Sequence, residues 1–445
     1  MRTDSHQADF GTEMRRKRLT AGISLGQLAA QIFYSKAQLS KVERGLKEPS
    51  RELARLCDAA LAADGELISL LPAFRPEIPD EIETTERRQA DSDRSMADEE
   101  VWLMQLDGSN AGWFAPIGRR QAMLAGLTSA AGVGGHFSLP SPTPTGADGA
   151  GILAAFRQLF DEYRRLGQVM SPAFLLPSLI AQTHTVREVA RSARPGIRED
   201  LFRLGSRYAE YIGWLVQENG DEQGALWWTQ RAVELARAGG DEDLAAYAMV
   251  RRALVTLYRD DGEQTVALAQ RAQGPALPPR IRGLAAQREA QGHAILGDHR
   301  ASMTCLDRAR GLLHQASSND EPTIGTIHLS DPAQMVTGWC LHDLGRPGQA
   351  TEVLDRELAQ VPAHALRTRA RYGIRQARAH ANAGDIDHAC ALAADLLGAA
   401  ATVRSATIAA DLRQLAATLN RHSRHQAVRE LAPELGTALS LITPA

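Results

Sequence analysis

Apolar positions recur at helical spacing almost from the start of the chain. Phe10, Met14 and Leu19, with basic residues between them, form a first periodic segment. Ile23, Leu28, Ala29 and Ile32 form a second, and Ala37, Leu39 and Val42 a third. Ser24 precedes the second and Ser35 the third, each placed to accept hydrogen bonds from backbone N–H groups at a helix start. Gly45 stops the third segment, with Arg44 beside its negative end. These two caps lie 11 residues apart and define two short helices meeting through a tight turn. Pro49-Ser50 followed by Leu53, Leu56, Cys57 and Leu61 predicts a fourth helix, and Leu67, Leu70 and Leu71 a fifth. A unit of this size is near the lower limit for an independent core, which explains its leucine content.

Further along, the pattern becomes regular. Amphipathic stretches alternate with Gly/Asp turns at Asn219-Gly220-Asp221, Gly239-Gly240-Asp241, Asp260-Asp261-Gly262, Gly297-Asp298, Gly345-Arg346-Pro347-Gly348 and Ala383-Gly384-Asp385. The markers Asp221, Asp261, Asp298, Gly345 and Asp385 are spaced by 37 to 47 residues. One helix pair per interval predicts a solenoid, because no single pair buries its own apolar face. The organisation read from the chain is a loose N-terminus at 1–9, a five-helix domain at 10–71, an acidic linker at 72–100, a small helical element with a Pro/Ser/Gly-rich loop at 101–150, and helical repeats at 151–445.

Charge sharpens this division. Between Arg15 and Arg55 there are ten basic residues against three acidic ones, and all four lysines of the chain fall in that window. The whole protein carries a formal charge of -3, so the positive focus is local. From Glu77 to Glu100 ten acidic residues face three arginines, and such a strap could compete with a polyanion for the basic face.

Other chemistry is sparse. Cys57, Cys305, Cys340 and Cys390 are far apart without metal-ligand spacing, which fits isolated thiols in a reducing cytoplasm. His364, His380, His388 with Cys390, and His422 with His425 lack the acidic partners of a metal-binding helix, so no metal and no cofactor are expected. No GxxxxGK[ST] loop and no catalytic constellation occur, and the expectation is a non-enzyme. No stretch is expected to span a membrane. The twin-arginine-like run Arg119–Leu127 lies behind a folded domain and reads as a packing helix.

The run Leu39-Ser40-Lys41-Val42-Glu43-Arg44-Gly45, followed by Pro49-Ser50, resembles the Xre/Cro/C1 repressor-like helix-turn-helix family over residues 10–71. The family commonly places a phosphate-holding glutamine just inside helix two; this chain has Leu25 there and Gln27 two residues on, leaving the arginines of helix one to substitute. The resemblance implies a third helix whose first turn enters the major groove of a double-stranded DNA operator. Lys36, Ala37, Gln38 and Lys41 would then face bases, while Arg15, Arg18, Ser40, Arg44 and Lys47 would hold phosphates. Glu43 is expected to pair with a basic neighbour.

The second resemblance rests on Ala377, Ala381, Gly384, Asp385 and Ala389, which stand where tetratricopeptide repeats place small packing residues and the turn. It implies an all-α protein: a helix-turn-helix domain followed by a right-handed superhelical array of tetratricopeptide-like pairs. Tyr211, Trp214, Trp228, Tyr247 and Trp339 are candidate contacts for an effector — a peptide, small molecule or protein — although core packing is the commoner use of such residues. A homodimer reading two half-sites is expected, because one small domain covers few base pairs. Together the features resemble cytoplasmic bacterial transcriptional regulators, some of them peptide-controlled and others from actinomycetes. The rival expectation is an interaction adaptor in which the small domain only docks.

Overall fold

The computed structural model describes residues 9–71, 100–106, 112–118, 146–316 and 323–442. The chain divides into two compact units, one comprising residues 1–73 with 146–445 and the other residues 74–145.

Five helices open the first unit: α1 (Phe10–Thr20), α2 (Leu25–Gln31), α3 (Lys36–Glu43), α4 (Arg51–Ala60) and the single-turn α5 (Glu66–Ser69). Their starts are set by serines. Ser24 forms a capping box, its Oγ accepting from the Gln27 N–H while the Gln27 side-chain oxygen accepts from the Ser24 N–H at 2.7 Å. Ser35 and Ser50 accept from the Gln38 and Leu53 N–H groups. Phe10, Met14, Leu28, Ile32, Leu39, Val42, Leu53, Leu56, Cys57 and Leu67 close one apolar core. Beneath it, buried Asp58 accepts from the backbone N–H groups of Gly65 and Leu67 at 2.7 and 2.9 Å, fixing the entry into α5.

The remainder of this unit is an array of helix pairs: α6 (Gly146–Leu166) with α7 (Pro172–Ser192), α8 (Ile197–Glu218) with α9 (Glu222–Ala238), and α10 (Leu244–Tyr258) with α11 (Gly262–Arg271). Then come α12 (Pro279–Leu296) with α13 (His299–Gln315), and α14 (Pro332–Asp343) with α15 (Pro347–Leu358). The last pairs are α16 (Leu366–Asn382) with α17 (Ile386–Val403), and α18 (Ala406–Asn420) with α19 (Gln426–Ile442). The aspartates of the Gly/Asp turns are N-caps: Asp221, Asp261, Asp298 and Asp385 accept from Gly224, Gln264, Ala301 and His388. First helices of successive pairs pack on one another, making an inner layer, and alanines at 0% exposure such as Ala290, Ala294, Ala377 and Ala381 allow the close approach.

The array curls until its beginning meets its later pairs. The Arg367 guanidinium, 1% exposed, donates to the carbonyls of Gly167 (2.7 Å), Met170 (2.6 Å) and Val403 (3.2 Å). It also pairs with Glu218 at 3.2 Å. Glu218 further accepts from Arg371 (3.1 Å), Ser405 (2.6 Å) and Thr407 (2.9 Å). Burial alone would raise the Glu218 pKa; Arg371 and Arg367 more than reverse that and hold it below the usual carboxylate range.

Three expectations need correction. Residues 100–118 are not helical: β1 (Glu100–Leu106) and β2 (Gly112–Gly118) pair antiparallel, with Met104 opposite Phe114. Val101, Trp102, Trp113, Phe114 and Ile117 are β-branched or aromatic, a composition that favours strands. The first repeat helix begins at Gly146, inside the segment read as loop, because Gly146–Leu166 is continuous with the amphipathic pattern that follows. Finally, α17 is long and apolar enough by composition to cross a membrane. Its face of Ala389, Cys390, Ala393, Leu397 and Ala400 is nevertheless core of the array. The expectations for residues 1–8, for the acidic linker up to residue 99 and for the twin-arginine-like run lie outside the described residues.

Candidate functional site

The basic face of α3 is open. Lys36, Ala37 and Lys41 are exposed, as are Arg44 and Lys47 beyond it, while Gln38 and Ser40 are half-buried. Leu39 and Val42, at 0% and 2% exposure, anchor the opposite face, so α3 cannot roll to hide its lysines. Arg44 donates to the Ser40 carbonyl at 3.0 Å, which keeps its guanidinium at the helix end. Arg15 is exposed on α1. Gln38 and Ser35 border a crevice whose far wall is Arg421 and His422 of the last repeat.

Arg18 does not join this face. It is buried, donating to Glu43 Oε1 at 2.7 Å and to the Ile23 carbonyl at 2.9 Å. It pins α1 to the end of α3 and cannot also hold a phosphate. Glu43 does pair with a basic residue, but one 25 positions away.

The helix-turn-helix domain is locked to the array through α4 and the turn between α2 and α3. Glu52 accepts from Arg378 (3.2 Å), Asn382 (3.1 Å), Thr418 (3.1 Å) and Arg421 (2.5 Å). Burial pushes its carboxyl up, but Arg378, Arg421 and the Asn382 amide bring it down to about 2. Arg421 also donates to the Tyr34 hydroxyl and lies over its ring, 4.6 Å from the centroid. Arg55 pairs with Asp260 at 2.7 Å, and Arg51 donates to the Asp260 carbonyl at 2.8 Å. Two glycines allow backbone approach: a Cβ at Gly384 (φ +91) would overlap the Phe33 ring, and one at Gly345 (φ +72) the Arg55 carbonyl.

A cavity of about 150 Å³ occupies the middle of the curled array, walled by the inner helices α8, α10, α12, α14 and α16 and by residues 323–329. Arg164 donates to the Gly325 carbonyl at 2.6 Å and Arg280 to the Ile324 carbonyl at 2.7 Å, holding that segment across the cavity. Tyr211, Trp214, Tyr247 and Trp339 line it; Tyr211 stacks on Trp214 at 5.4 Å, and Trp339 meets Tyr372 edge-on at 6.3 Å. Trp228 does not. It is buried on α9, the outer helix of its pair, against Trp227. Its neighbour in sequence gave no hint of which side was inner.

A hydrogen-bonded path joins the cavity to the locked domain. The Trp339 indole N–H donates to Asp343 at 2.8 Å, and Asp343 faces Arg55 at 3.8 Å and His342 at 3.4 Å. His342 meets the Asn382 amide at 3.1 Å, and that amide reaches Glu52. The His342 pKa is depressed by burial and by Arg378, against the pull of Asp343. Sequence reasoning missed Glu52 and Arg55, whose partners lie hundreds of residues away, and Asp343 and His342, which join them across helices.

Among the described residues, one set of metal-capable groups converges: Glu289, His293 and Cys305. Glu289 already accepts from Gln270 and Gln273 at 2.9 and 2.7 Å and pairs with Arg308, whose guanidinium also touches the Cys305 sulfur at 3.1 Å. A cation there would meet that positive charge at once.

A helix-turn-helix domain family matches residues 9–71, which is the whole five-helix domain described above. No curated protein matches. Among solved structures, a Rap protein complexed with competence and sporulation factor is 12% identical, with a TM-score of 0.40, covering 66% of this chain and 99% of its own. That likeness is too distant to bear on function. Residues 9–71 are thus a helix-turn-helix domain set on an array of helix pairs.

Proposed function

We propose that this protein is a sequence-specific DNA-binding transcriptional regulator whose repeat array senses an effector. The observation that carries the reading is the division of labour within one small domain: α3 presents Lys36, Ala37 and Lys41 to solvent while α4 is held by the array. Docking onto an operator would place Lys36 and Gln38 against base edges and leave Arg15, Ser40, Arg44 and Lys47 for phosphates. A homodimer would set two such helices about 34 Å apart. A regulator of this kind performs no catalytic step and works in the cytoplasm.

The cavity supports the sensing half. An effector that repositions Trp339 would act on Asp343 and hence on Arg55, changing how the DNA-binding domain is held. The test is a mobility-shift selection against a genomic fragment library. The native chain should retain a discrete set of fragments, and the double variant Lys36→Ala, Gln38→Ala should lose them. If neither protein prefers any fragment, the second reading prevails: an interaction adaptor in which the domain serves only to dock, as its buried ion pairs with the array allow.

A further inference from the structure

The cavity is electrostatically one-sided. Arg164, Arg207, Arg251, Arg288, Arg367 and Arg371 line it, against Glu210, the single carboxylate among the described lining residues. Most of this charge has a partner. Arg207 pairs with Asp241, Arg251 lies 3.6 Å from Glu210, and Arg367 and Arg371 share Glu218. Arg164 meets no carboxylate among the described residues and is held by the Gly325 carbonyl; Arg288 lacks even a main-chain partner there. Among the described residues its guanidinium meets no carboxylate and donates only to the side-chain oxygen of Gln291, one turn along α12. Burial pushes its pKa down, Tyr372 opposes that and the nearby Arg371 adds to it.

Beside it stands Gln287, 2% exposed, whose Nε2 has no hydrogen-bond partner. An orphaned buried amide costs free energy, and native interiors rarely keep one unless something fills the position. Adjacent in sequence and both lining the cavity, the two side chains offer a guanidinium and an amide N–H to a planar acceptor bearing one negative charge. Around them Tyr211, Trp214, Tyr247, Trp339 and Tyr372 present aromatic surface. The enclosed volume of about 150 Å³ suits a body the size of one six-membered ring.

We infer that the cavity binds a small aromatic carboxylate, its carboxylate held by Arg288 and Gln287 and its ring by the aromatic wall. A planar carboxylate is chosen over a phosphate ester because ring and headgroup together must fit about 150 Å³. The inference rests on the effector-sensing half of the function proposed above and names the ligand class.

Benzoate is the probe, with benzamide as its uncharged counterpart and acetate as the anion lacking a ring. Titrated into the full-length protein by calorimetry, with tryptophan fluorescence in parallel, benzoate should bind saturably and perturb Trp214 and Trp339. Benzamide and acetate should each bind at least roughly tenfold more weakly. Arg288→Gln should abolish the preference for benzoate over benzamide, and Gln287→Leu should reduce it. Should Arg288→Gln fail to fold, the benzoate–benzamide comparison on the native protein still decides. Equal binding of the two, no binding of benzoate, or a preference that survives Arg288→Gln would each overturn the inference. The fragment-selection result is independent: retained operator binding with no benzoate binding removes only the ligand class, whereas benzoate binding without operator selection removes only the regulator reading.

Discussion

Lys36 and Arg18 are both basic, both in the same small domain, and do opposite work. Lys36 stands in solvent with no acidic partner among the described residues, whereas Arg18 is consumed by Glu43 and the Ile23 carbonyl. Lys36→Ala should therefore leave the thermal midpoint unchanged and relax the base preference at one operator position by about 1 to 3 kcal/mol. Arg18→Met should do the reverse. It strands Glu43, costs about 3 kcal/mol of stability by urea denaturation, and leaves the base preference of the surviving folded protein untouched. The sequence could place Arg18 on the basic helix but not its direction, because the acid that turns it inward sits on another helix. The serine caps were legible for the opposite reason. Ser24, Ser35 and Ser50 act on backbone three residues away, so local pattern suffices.

At the scale of elements, α4 is defined less by its own core than by what holds its outer face. Glu52 carries a pKa of about 2 against an ordinary 4.5, so its contribution to docking is complete above pH 4.5 and is lost as pH falls toward 2. That shift is worth about 3 kcal/mol. His342, depressed from its ordinary 6.5, adds a term present above that pH and weakening below it, since only the undocked state takes the proton readily. Protease susceptibility of residues 9–71 should accordingly rise in two stages on acidification. Glu52→Gln should remove the lower stage and His342→Gln the upper. None of these partners could be read from the chain, as Glu52 meets residues more than three hundred positions on. The turn aspartates were legible as markers, and their capping hydrogen bonds explain why they recur. The hairpin at 100–118 departs from the helical expectation because its Val and aromatic residues favour strands.

For the molecule as a whole, the closure of the array is concentrated on one carboxylate. Glu218→Ala would leave Arg367 and Arg371 buried without a counter-charge and should cost about 3 to 5 kcal/mol, read from chemical denaturation of the full chain. The path from Trp339 through Asp343 to Arg55 makes a different demand. If benzoate and operator influence each other through it, Asp343→Asn should bring the ratio of DNA affinities with and without benzoate close to one. Benzoate binding itself should survive. Equal ratios in variant and native protein would dissociate this path from the coupling.

The small domain touches Asp260, Gly297, Gly345, Gly384 and Arg421, which lie at the turns of five successive helix pairs. It therefore works as a brace nailed across the rungs of a ladder: the rungs cannot fan apart without drawing its nails. Prising it loose should make amide exchange quicker along the inner helices, far from any residue it contacts. By the same mechanics, a nucleic acid bound to the brace should stiffen the whole ladder.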